Sequence, residues 1–297
     1  MKRYIPLFAG LAAIISCTHV ADYDASGAFE ATEITVSAEV SGRIVSFDTD
    51  EGATVSKGQT VCRIDSTALV LQRRTLEQQQ RALLSGKPDT RKQLGALKEQ
   101  ISKQKTELAR VEALYKEDAA TAKQVDDARA QLSILQGQYD ATLSSLGKSA
   151  ASIEGNAAVV STQMDQLDYS ISKCQVTAPA AGTIVTKYAQ EGEVTAAGKP
   201  LFKLADLENM FLRAYFTSDQ LSSVTIGQQV RVVADFGGKQ QIEYPGTVTW
   251  ISSESEFTPK SIQTRDSRAA LVYAVKIAVK NDGRLKIGFY GEVHLGQ

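Results

Sequence analysis

Histidine is scarce in this chain of 297 residues: His19 and His294 are the only two, and they stand near opposite ends. That scarcity weighs against a histidine-based metal centre and against Ser/His or Cys/His hydrolase chemistry. Charge of either sign is also missing in excess. Thirty-three Lys and Arg face 34 Asp and Glu, for a net charge of -1. Nothing here offers the basic surface that nucleic acid requires, and no acidic tail is present. Aromatic residues amount to 7% and are scattered rather than clustered, so no stacking platform for bases is visible. Beyond the first 15 residues no apolar run approaches the roughly 18 residues of a membrane-spanning helix. What remains is ordinary for a globular protein, with 43% apolar and 23% charged residues and room for two or three modest domains.

The N-terminus reads as an export leader. Lys2 and Arg3 precede an apolar run from Ile5 to Ile15 that is too short to span a bilayer. The run ends at "IISC", which resembles a bacterial lipobox. The resemblance implies that Cys17 is diacylated and becomes the first residue of the mature chain; the alternative is an ordinary secretory signal with a chance cysteine. Both readings export the protein, and the segment "THVADYDASGA" then serves as a spacer. Cys62 and Cys174 would lie in an oxidising compartment. A disulfide between them is one reading, and two buried free thiols the other.

Past the leader the chain repeats itself. "SGRIVSFDTDEGATVSKGQ" from Ser41 and "AGTIVTKYAQEGEVTAAGK" from Ala181 align at a constant offset of 140 residues. Gly42 meets Gly182, Glu51-Gly52 meets Glu191-Gly192, and Gly58 meets Gly198. β-Branched runs between glycines read as short strands joined by tight turns. Each copy is too small to bury a core alone, so the two are expected to face each other in one sandwich with pseudo-twofold symmetry. This resembles the two halves of a biotinyl/lipoyl domain. The modified lysine of such carriers sits in the turn between the halves; here residues 66–176 replace that turn.

The insert is helical by its spacing. Leu94, Leu97, Ile101, Gln104, Leu108, Val111 and Tyr115 step by alternating threes and fours. Val125, Ala128, Leu132, Leu135, Tyr139, Thr142 and Leu146 do the same. Folded antiparallel, seam partners have numbers that add to 240, which puts the turn at Ala119-Ala120. Gly86 and Pro88 fall opposite Ser152 to Gly155, so both arms are expected to be interrupted at a similar height. At 1.5 Å per residue, arms of roughly 50 residues would reach about 75 Å, a spacer or docking arm rather than a catalytic device.

At the tip, Arg110 and Leu114 are i,i+4 neighbours off the seam, which predicts an outward Leu114 without a partner in its own hairpin. Thr121 opens "TAKQ", the pattern of a capping box with Gln124. Arg110, Leu114 and Thr121 together resemble the Arg-Leu-Ser tip of HlyD-type periplasmic adaptors, the membrane fusion proteins, with Thr in place of Ser. The resemblance implies docking onto a TolC-like outer-membrane channel through these three residues. The bland reading makes Thr121 a helix cap and Arg110 a solvated charge; it explains Leu114 worst.

After Leu207, "MFLRAYFT", "GQQVRVVAD", "YPGTVTWIS", "LVYAVKIAV" and "GFYGEVHL" are alternating strands punctuated by Gly or Pro, the mark of a small β-barrel. The stretch from Ser253 to Ile277 resembles the adaptors of ABC-type exporters, and no further membrane-proximal domain is expected after Gln297. The predicted architecture is therefore elongated mixed α+β: a split lipoyl-like sandwich, an inserted antiparallel coiled-coil hairpin, and a barrel. Its parts are a leader (1–17), a spacer and a first strand that joins the barrel or links it to the sandwich (18–36), one sandwich half (37–65), the hairpin (66–173, tip near 118–121), the second half (174–206) and the barrel (207–297).

The resemblance implies a non-enzymatic adaptor without cofactor or metal. It would be lipid-anchored in the periplasm of a Gram-negative bacterium, expected at the inner membrane and hexameric. It would bridge an ABC-type inner-membrane transporter to the channel in a tripartite efflux or secretion system. Alternatives are an adaptor for an RND or MFS transporter, a structural coiled-coil lipoprotein without a transporter, and a biotinyl or lipoyl carrier. Neighbouring genes separate the first two from the leading reading, and an intact-mass adduct would identify the carrier.

Overall fold

The computed structural model describes residues 23–237, 241–257 and 271–296. Elements follow in the order β1 (Ala25–Ser37), β2 (Gly42–Phe47), β3 (Thr54–Val55), β4 (Thr60–Ile64), α1 (Thr67–Ser85), α2 (Thr90–Lys116), α3 (Ala122–Lys173), β5 (Gln175–Thr177), β6 (Gly182–Lys187), β7 (Val194–Thr195), β8 (Pro200–Thr217), α4 (Ser218–Leu221), β9 (Gln229–Asp235), β10 (Gln241–Phe257), β11 (Leu271–Lys280) and β12 (Tyr290–Leu295). They build a sandwich, a helical hairpin projecting from it, and a barrel.

The sandwich is assembled from strands too short to stand alone, each bonded to the other half. The bonds come in pairs that exchange under the 140-residue offset. Ala38 N donates to Lys199 O and Ala178 N to Gln59 O; Gly52 N donates to Ile184 O and Gly192 N to Ile44 O. The turns obey the same symmetry, with φ of 86° at Gly52 and 88° at Gly192. Ile44, Val61, Ile184, Leu201 and Phe202 fill the space between, all without exposed surface. At one of the positions where the halves differ, the difference makes a contact. Phe47 corresponds to Lys187, and the Lys187 ammonium lies 4.2 Å from the Phe47 ring centre while bonding the Asp50 carboxylate at 3.0 Å.

The barrel closes through six antiparallel strands in the cyclic order β1, β12, β9, β10, β11, β8. Alternation points Leu212, Ala214 and Phe216 inward from β8, against Phe29, Val232, Ile277 and Val293. β1 and β8 do not stop at the barrel. They stay paired from Ser26↔Tyr215 to Ser37↔Pro200, so one two-stranded ribbon serves both β-domains. A bulge marks the border: Ala31 opposes Met210 while Thr32 opposes Asp206, leaving Leu207, Glu208 and Asn209 spare. Asn281 Nδ2 holds the bulge by donating to Leu207 O at 2.8 Å. Gly27 sits where the ribbon is tightest, since a Cβ there would lie 1.9 Å from Arg213 O.

In the hairpin every seam position is at least partly buried except Tyr115, and Leu94 and Val125 are fully so. Cross-arm contacts follow the antiparallel register within about a residue for Lys87 with Glu154, Arg129 with Glu112 and Arg73 with Asp168. The Gln104 amide departs from it and reaches two turns towards the tip, to Ala128 O at 3.1 Å. The expected interruption occurs in one arm alone. Gly86 and Pro88 end α1, and Asp89 caps α2 by accepting from Lys92 N at 3.1 Å. α3 runs 52 residues without a break through Ser152 to Gly155. Proline removes a helical bond and clashes with the preceding turn, whereas a lone helical glycine costs only about 1 kcal/mol relative to alanine.

Candidate functional site

The far end of the hairpin is the candidate site. α2 stops in a Schellman closure: Ala119 N donates to Leu114 O at 2.8 Å and Asp118 N to Tyr115 O at 3.1 Å, with Asp118 left-handed at φ 59°. Two residues later Thr121 starts α3. Its hydroxyl accepts from Gln124 N at 3.3 Å while Gln124 Oε1 accepts from Thr121 N at 2.7 Å, a reciprocal capping box.

Of the three tip residues singled out above, Thr121 is thus built into the turn itself. Arg110 lies on the α2 surface one turn before Leu114 and pairs with Glu107 at 2.7 Å; that bond to the Glu107 carboxylate raises its pKa further. Leu114 is 39% exposed beside the turn. That share of an apolar side chain is left in water beside the turn.

The opposite side of the tip carries a feature that heptad reasoning missed. Tyr115 is 47% exposed rather than seated in the seam, although Val125, its expected partner across the turn, is buried. It borders a cleft of about 420 Å³ with Lys116, Ala122 and Val125, closed by the Glu112–Arg129 pair at 3.0 Å. A wider cleft of about 990 Å³ lies on the barrel, between Tyr23, Arg231, Glu243 and His294. Arg231 and Glu243 pair with each other across it at 3.2 Å. Among the described residues no group of His, Cys, Asp and Glu is arranged to hold a metal ion.

Of the two readings of the cysteine pair, the described structure has the free thiols. Cys62 and Cys174 are both buried and both free, not joined. In the ladder Cys62 faces Val176, and Ile64 N donates to Cys174 O at 2.8 Å, so the two are diagonal neighbours two residues out of register. Diagonal pairs stand roughly 7–8 Å apart, beyond the usual reach of a disulfide. The Cys174 thiol instead points to Ser170 O at 3.5 Å. Cys17, the proposed lipid attachment, lies outside the described residues, as does the rest of the leader. Among the described residues no helix is long and apolar enough to cross a membrane.

The described residues thus build a split sandwich whose halves are separated by a helical hairpin, followed by a barrel on a shared ribbon. The chain belongs to the CzcB-like barrel-sandwich hybrid family, whose model matches residues 32–206. It is 26% identical over 267 residues to a UPF0194 membrane protein of Yersinia pseudotuberculosis serotype O:3, covering 81% of this chain and 79% of that one. A second UPF0194 membrane protein, from Acidithiobacillus ferridurans, is 32% identical over 140 residues, 45% of this chain and 40% of that one. Among solved structures, MacA of Actinobacillus actinomycetemcomitans superposes with a TM-score of 0.55 at 22% identity, covering 91% of this chain and 76% of that one. The periplasmic adaptor protein EmrA does so at 0.50 and 18%, covering 92% and 98%.

Proposed function

We propose that this protein is the periplasmic adaptor of a tripartite efflux or secretion system. It holds an inner-membrane transporter of the ABC type at its barrel end and a TolC-like outer-membrane channel at its hairpin tip. A lipid on Cys17 tethers the barrel end to the inner membrane, and six copies form the conduit. Arg110, Leu114 and Thr121 make the channel contact. The observation that carries this reading is Leu114, an apolar side chain left exposed at the end of the hairpin farthest from the barrel. The solved adaptor EmrA shares the fold, and the curated relatives are named membrane proteins.

The test is Leu114→Asp. Export and crosslinking from the tip to the outer-membrane channel are expected to be lost, with the helical circular-dichroism signal unchanged, because the residue is exposed and off the seam. Export at the wild-type rate by this variant would remove the docking reading.

A further inference from the structure

Nine described residues hold a left-handed backbone, and eight of them are glycine. The ninth is Asp118, at the apex of the hairpin. The Schellman bonds impose this conformation, and glycine meets it without a Cβ penalty. Aspartate is tolerated in such positions chiefly because its carboxylate can bond nearby backbone. Elsewhere in this chain turn aspartates do so. Asp206 accepts from Glu208 N and Asn209 N, Asp235 from Gly237 N, and Asp282 from Arg284 N. At the tip the side-chain bonds run between Arg110 and Glu107, Arg129 and Glu112, and Thr121 and Gln124. Among the described residues none reaches the Asp118 carboxylate.

The Asp118 carboxylate thus stands exposed on a left-handed residue, bonded to no described residue of its own chain. We infer that Asp118 is a recognition residue whose carboxylate meets a cationic side chain, lysine or arginine, of the outer-membrane partner. The inference rests on the proposed docking role of the tip and adds to it a charged contact at the apex.

The experiment uses the full-length protein in cells, with a photo-crosslinker at Ala122 and the adduct to the outer-membrane channel as readout. Asp118→Gly and Asp118→Asn are compared with wild type, and Leu114→Asp serves as the arm that reports docking itself. Both Asp118 variants are expected to lower adduct yield roughly fivefold, the order of a partly exposed charge pair. The wild-type yield should also fall more steeply with salt than that of Asp118→Asn. Wild-type yield from both Asp118 variants, with adduct lost in Leu114→Asp, overturns the inference and leaves the docking reading intact. Wild-type yield from Leu114→Asp removes the docking reading and the inference with it.

Discussion

Cys62 has no exposed surface, and burial first, then the Asp48 carboxylate, push its thiol from 9.0 up to about 11, against a smaller pull from Lys187. A folded-state value above the unfolded one means the native state holds the proton longer. The stability this contributes is fully present below pH 9 and is lost as the pH rises through about 11. The difference in unfolding free energy between wild type and Cys62→Ala should therefore narrow from about pH 8 to about pH 10.5, measured by urea titration. An unchanged difference would refute the assignment. At the apex, Asp118→Gly should stabilise the hairpin by about 0.5–1 kcal/mol, the left-handed penalty less the entropy of glycine. Thermal unfolding of the two forms checks it, and a lower midpoint in the glycine form would count against the turn geometry.

The two sandwich halves invite a matched experiment. Gly52 and Gly192 share a φ near 87° and open space where a Cβ would go. Alanine at either position should cost about 1 kcal/mol by backbone strain alone, and the two costs should agree within about 0.3 kcal/mol. Unequal losses would mean that the halves are not equivalent at their turns.

How far such symmetry shows in the bare sequence depends on where the glycines are needed. Those two carry the repeat because the tight turn constrains them directly, and Gly42 and Gly182 because strands pack against them. The seams of α2 and α3 were legible because burial in a two-helix rod depends almost wholly on spacing. Tyr115 was not, since spacing says nothing of how much surface a seam residue keeps beside the turn. The unbroken course of α3 was hidden for a related reason: two small residues opposite a proline look like a break, yet only the proline forbids a helix. The first strand was expected to join the barrel or to link it to the sandwich, and alternation alone does not say that β1 does both, because a strand continuous through both reads like one confined to either. Arg110, Leu114 and Thr121 were found as a group by resemblance, whereas Asp118 needed a backbone angle.

For the molecule as a whole, the shared ribbon ties the integrity of the barrel to the sandwich. Gly27→Ala would drive a methyl into Arg213 O and open the β1–β8 pairing. A loss of at least ~2 kcal/mol is expected, of the size seen when a packed site is overfilled, with one cooperative unfolding transition shared by both β-domains. Two separated transitions in calorimetry would show the domains to be independent.

The hairpin carries a mechanical asymmetry of its own. One arm is a single 52-residue helix, and the other is cut between Ser85 and Thr90. Load along the rod runs through α3 as a strut, while the cut arm acts as a jointed tie whose span changes at little cost. Such a rod bends most easily in the plane that opens or closes the joint, so lateral force at the tip is converted into motion in one direction rather than into a swivel.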